Sequence, residues 1–105
     1  MGISQEGGGA ITKGNDTVYN ILVTDQVSCT DAATVIVSAD GLRAKLNLFN
    51  TSTNVVIYVG PDDSVTTTSG FGLEPQRHIP WPYAGALYGI VTTGSQTVSV
   101  AEIQT

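Results

Sequence analysis

The chain holds one cysteine, Cys29, and one histidine, His78. A lone thiol can form neither an intramolecular disulfide nor a cysteine-based zinc cluster. Because His78 lies far from it in sequence, Cys29 is expected to be a buried structural thiol and not a nucleophile with a base beside it. Charge is also scarce. Charged residues make up 12% of the chain, with Lys13, Arg43, Lys45 and Arg77 set against nine acidic residues for a net charge of −5. Phosphate backbones are bound by clustered Lys and Arg, so no nucleic-acid partner is expected. The same scarcity leaves no polybasic patch for an anionic membrane, and no apolar run approaches the roughly eighteen residues that span a bilayer.

Further absences concern targeting and catalysis. The stretch from Met1 to Gly9 has neither the basic nor the apolar region of a secretion signal, and Glu6 stands where a myristoylation motif needs Ser or Thr. Passage through a secretion pathway is therefore not expected, and the sequons Asn15-Asp16-Thr17 and Asn50-Thr51-Ser52 read as turn chemistry. Gly7-Gly8-Gly9 is not followed by the strand, helix and Lys-Ser or Lys-Thr of a phosphate loop. Asp62 and Asp63 have two readings, a plain turn or part of a calcium site, but no Asp-x-Asp-x-Asp-Gly loop surrounds them. His78 has no visible partner, which makes a surface or interface imidazole the simpler reading beside a base or ligand. With no catalytic constellation in view, neither an enzyme nor a cofactor is expected.

What the chain does contain is Val, Thr, Ser, Ile and Gly in short apolar stretches divided by turn residues, with no window of helical period. One domain fits into 105 residues. The fold expected is all-β, a small β-sandwich or jelly roll of about eight short strands over residues 17–105, preceded by a Gly-rich arm over residues 1–16. Strands are predicted over Thr17–Val23, Thr34–Ser38, Leu42–Asn50, Val55–Gly60 and Val65–Thr68. A final hairpin joins Ala86–Thr92 to Thr97–Ile103 across Thr93-Gly94-Ser95-Gln96. In the third strand Leu42, Ala44, Leu46 and Leu48 are expected on the inner face, with Arg43, Lys45 and Asn47 outside.

The densest stretch runs from Arg77 to Tyr83. Ile79, Trp81 and Tyr83 share one face of an extended segment, while His78, Pro80 and Pro82 share the other. Two prolines at i and i+2 remove two donors, so the segment belongs on an edge or in an extended loop. Two roles stand open and are compatible. The aromatic face can close the core, or part of it can dock on another subunit, as Trp, Tyr and Arg do at interface hot spots. The partner-binding set is therefore Arg77, His78, Pro80, Trp81 and Tyr83, with Ile3 and Ile11 from the arm.

From residue 42 to residue 103 the segments Leu46–Asn50, Val56–Gly60, Ser64–Thr67, Gly72–Pro75, Gly85–Ile90 and Val98–Glu102 resemble the small β-sandwich head decoration, or capsid cement, proteins of tailed bacteriophages. The resemblance implies a non-enzymatic virion protein, made in the host bacterial cytoplasm and placed on the capsid surface, often as a homotrimer, that clamps neighbouring copies of the major capsid protein. Its rivals are a carbohydrate-binding module, for which Trp81, Tyr83, Tyr58 and Tyr88 are candidate platforms, and a tail or baseplate module.

Overall fold

The computed structural model describes residues 10–13, 16–19 and 21–104. β1 (Ala10–Lys13), within the span expected as an arm, and β2 (Asp16–Tyr19), which crosses its end into the expected domain, form an antiparallel hairpin, with Ala10 opposite Tyr19 and Lys13 opposite Asp16.

The remaining strands are β3 (Ile21–Thr30), β4 (Thr34–Val37), β5 (Arg43–Asn50), β6 (Ile57–Gly60), β7 (Phe71–Leu73), β8 (His78–Trp81), β9 (Leu87–Ile90) and β10 (Ser95–Gln104). They build two four-stranded antiparallel sheets, ordered β3-β10-β5-β8 and β4-β9-β6-β7. The chain crosses between the sheets at nearly every connection, and only β6 and β7 are joined within one sheet. This is the connectivity of a jelly roll, and the expected all-β sandwich is present.

The core lies between the sheets. Leu46 and Leu48 of β5, Val98 and Val100 of β10 and Cys29 of β3 face Ile36, Val37, Ile57, Val59, Leu73 and Leu87 from the other layer. Burying each such side chain stabilises by about 1.5–3 kcal/mol before entropy is charged against it.

Four details depart from the sequence reading. First, the run Thr17–Val23 is divided between β2 and β3, and β3 continues through the polar Thr24, Asp25, Gln26 and Ser28. Pairing along the whole length of β10 supplies hydrogen bonds that outweigh the low strand preference of Asp25 and the lack of apolar surface in this stretch.

Second, Val65–Thr68 is a turn and not a strand. The Thr66 hydroxyl accepts from the Thr68 and Ser69 N–H groups, the Ser69 hydroxyl accepts from the Thr66 N–H, and the Gly70 N–H donates to the Thr66 carbonyl. Local side chains therefore take the groups a ladder would need. Val65 alone is buried, as an anchor.

Third, β9 and β10 belong to opposite sheets. The Val91 N–H donates to the Thr30 carbonyl, and the chain then passes through Gly94 at φ 73° into the other layer.

Fourth, the alternation in β5 changes phase at its start. The register slips between Ile103 and Gln104, where Arg43 pairs with Gln104. The bulge turns Arg43 inward, to 4% exposure, and leaves Leu42 62% exposed.

Candidate functional site

The segment from Arg77 to Tyr83 is held from three sides. Pro80 lies in β8, an edge strand as the prolines require, whose neighbour β5 places Leu46 opposite Trp81 and Leu48 opposite Ile79. Its entry is a turn in which Gln76 takes φ 59°, in the left-handed region. The Gln76 N–H donates to the Asn50 carbonyl at 3.0 Å, and its side-chain amide donates to the carbonyls of Thr51 and Ser52. Those three bonds offset a backbone conformation that costs a non-glycine residue about 1 kcal/mol.

At its exit the Tyr83 hydroxyl donates to the Ala86 carbonyl at 2.7 Å. Gly85 lies against the Tyr83 ring so closely that a Cβ there would stand 2.6 Å from the hydroxyl oxygen. Below this loop is the buried Arg43. Its Nη1 donates to the carbonyls of Tyr83 and Gly85, its Nη2 to that of Ser38, and its Nε to Glu102 Oε1 at 2.7 Å. One guanidinium thus ties β5 to β10, to the end of β4 and to the loop after β8.

The alternation read from the sequence holds in β8. Ile79, Trp81 and Tyr83 pack against the core, while His78, Pro80 and Pro82 are exposed. Trp81 does two jobs, because its half-buried ring also meets Phe71 with centroids 5.8 Å apart and Tyr83 edge-on at 6.4 Å. Phe71 remains 57% exposed. Around these rings opens an apolar cleft of about 380 Å³ at the seam between the sheets. Val59, Gly60, Pro61, Phe71 and Leu87 line it from the sheet of β6, β7 and β9, and Trp81, Pro82 and Tyr83 line it from β8 and the loop that follows.

The expected partner-binding residues do not form one surface. Trp81 and Tyr83 belong to the cleft. His78 and Pro80 lie on the opposite, outer face of β8, where His78 Nε2 meets Asn47 Oδ1 at 3.1 Å. Arg77 is exposed at the turn before them, and its carbonyl accepts from the Asn50 N–H. Ile11 falls in β1 with its side chain outside the described structure, and Ile3 lies outside the described residues.

Two aromatic-site contributors were not singled out from the sequence, Phe71 and the supporting Arg43. The run Gly70-Phe71-Gly72 carried the only available signal for the first, an aromatic side chain flanked by residues that cannot shield it. For Arg43 the strict alternation of its neighbours pointed the wrong way.

Asp62 accepts from the Ser64 N–H and hydroxyl, and these bonds hold its carboxyl below the usual range. Asp62 is a turn cap whose contribution is present above the unfolded-state value and is lost as pH falls through the lower folded one. Among the described residues, no group of three or more His, Cys, Asp or Glu side chains converges to hold a metal ion.

Cys29 is fully buried, with its thiol pushed up to about 11 by desolvation. It should resist a thiol reagent at pH 8 in the native protein and react at once in denaturant. Raised in the folded state, this group contributes stability that is complete below the unfolded-state value near 9 and declines as pH climbs toward 11. Rapid labelling of the native protein, followed spectrophotometrically, would show that the core opens locally around β3.

No protein-family model, no curated protein and no solved structure matches the chain.

Proposed function

We propose that the chain is a structural, non-enzymatic virion protein that decorates a bacteriophage capsid and stabilises it by binding the outer surface of major capsid subunits. The observation that carries this reading is the apolar rim of Phe71, Trp81, Pro61 and Pro82 at the open seam of a jelly roll. Jelly rolls serve in viral capsids and in lectins alike, so the fold narrows the choice by analogy only and the rim must decide it. Aromatic anchors on proline-stiffened edges lose little entropy on docking and suit a protein contact. Recognition of a sugar needs polar side chains beside the aromatic platform, and here the Tyr83 hydroxyl is already committed to Ala86. On a capsid lattice many such contacts act together, so each can be weak.

Immunogold labelling of virions from the phage encoding the chain tests the location. Label over the head surface is expected. Label on the tail would move the protein to a tail or baseplate role, and unlabelled particles would overturn the virion reading.

Phe71→Ser tests the rim. Because Phe71 is largely exposed, the variant should keep its melting temperature within a few degrees while its dissociation constant for capsids rises roughly 10- to 30-fold in co-sedimentation. Unchanged binding would remove the rim from the contact, and displacement by soluble oligosaccharides would favour the carbohydrate-binding alternative. Trp81→Ala should also weaken attachment, but with a loss of stability, since half of that ring belongs to the core.

A further inference from the structure

Four strands border the two sheets: β3 and β8 in one, β4 and β7 in the other. Three of these edges are poor templates for another strand. β8 carries Pro80 and runs into Pro82, β7 is three residues long, and β4 is four residues long with a register slip between Val35 and Val37. β3 is different. It runs for ten residues without proline, glycine or a register slip, and Asp25 is its only charged residue.

Hydrogen bonding shows which groups of β3 face outward. In an antiparallel ladder successive residues alternate between bonding the neighbour and pointing away from it. The Gln26 N–H turns away from β10 and is taken by the Asp25 carboxylate at 2.8 Å. The Thr30 carbonyl likewise turns away and accepts from Val91. The even-numbered residues therefore present their backbone groups to the open side, and those of Leu22, Thr24 and Ser28 meet no partner among the described residues. Leu22, 66% exposed, and Val23, 40% exposed, add apolar surface on both faces of the same end.

We propose that β3 docks on β3 of a second copy of this chain, antiparallel across a two-fold axis, so that two four-stranded sheets become one of eight. An identical edge is the partner of matching chemistry, because every other strand edge among the described residues is short, slipped or proline-bearing. A contact of one patch with itself closes as a dimer. It therefore adds a two-fold contact and does not generate the three-fold arrangement that the decoration-protein resemblance implies. Opposing the two Asp25 carboxylates directly is unfavourable, and the registers that avoid this while pairing outward-facing residues place Thr24 or Gln26 on the axis.

Sedimentation of the full chain across a range of concentrations tests the proposal, with Thr24→Pro and Leu22→Lys as variants. The Thr24 N–H points away from β10, so proline removes an intermolecular donor and leaves the internal ladder whole. Leu22→Lys guards against a folding defect in the proline variant, and circular dichroism verifies both. The expected result is a concentration-dependent dimer, with a dissociation constant raised at least about tenfold in each folded variant. Oxidation of Thr24→Cys or Gln26→Cys should trap a covalent dimer, since Cys29 is buried. A wild-type chain that stays monomeric or forms only trimers overturns the proposal, as does a dimer indifferent to both variants. None of these outcomes depends on capsid binding, so this inference and the decoration role fail separately.

Discussion

Arg43→Met is expected to lower stability by roughly 3–5 kcal/mol, the range found when one partner of a buried ion pair is removed. The Arg43 side chain is fully buried and that of Glu102 is 15% exposed. Methionine fills much of the same space, so lost volume is not the main effect. The Glu102 carboxylate loses its counter-charge, and the carbonyls of Ser38, Tyr83 and Gly85 lose their donor in places that water reaches poorly. For a domain of this size each kcal/mol is worth about 4–8 °C, so the melting temperature should fall by at least about 12 °C. Arg43→Lys keeps the charge but cannot span acceptors on several segments with one ammonium group, and should fall between the two. Glu102→Gln keeps an acceptor for Nε and should cost less than Arg43→Met. A change below about 1 kcal/mol in Arg43→Met would mean that this network is not what holds the β8–β9 loop in place.

Asn50→Leu is expected to cost about 3 kcal/mol in urea denaturation, at the opposite end of the same strand. Asn50 is fully buried, and its amide donates to the carbonyls of Val55 and Leu73 at 2.8 Å each. Its side-chain oxygen Oδ1 accepts from the Ser52 N–H at 2.9 Å. Leucine matches the volume but leaves these backbone groups without partners, each at about 1–3 kcal/mol before relaxation. Asn50→Asp retains the acceptor for Ser52 and turns a carboxylate toward two carbonyl oxygens. That variant should be weakest at neutral pH and recover in acid, as protonation removes the buried charge and restores one donor. Stability of Asn50→Leu within about 0.5 kcal/mol of the parent would show that the β5–β6 loop finds other partners.

How far this molecule could be read from its residues depends on whether a signal is local. Pro80 and Pro82 announced an edge because a missing N–H is a property of the residue itself, and β8 is at an edge. In the predicted Val55–Gly60 strand Ile57 and Val59 face the core at alternate positions, since the register of β6 is uninterrupted. Arg43 was placed outside because nothing near it in sequence shows that Ile103 and Gln104 slip against it sixty residues later. Val65 to Thr68 looked like a strand by side-chain type, but the hydroxyls of Thr66 and Ser69 bond the backbone of their own loop. The turn at Gly94 was visible, yet the sheet that each flanking strand joins is decided by distant partners. The aromatic rim was half legible: Trp81 and Tyr83 stood out in a dense motif, whereas Phe71 reaches them only through the pairing of β6 with β7.

The position of β10 has a consequence for how the molecule comes into being. It lies between β3 and β5 and pairs with both. While the chain is being synthesised, β3 has no neighbour in its sheet until Ser95–Gln104 has been made, and β5 has only β8, so part of their apolar surface must wait in an unfinished polypeptide. That layer is therefore completed late and by closing long loops, the regime of slow folders that take milliseconds to seconds. Inside a cell filling with copies of the same nascent strands, the interval before β10 arrives is the time of greatest exposure to wrong pairing, and its length is set by the translating ribosome.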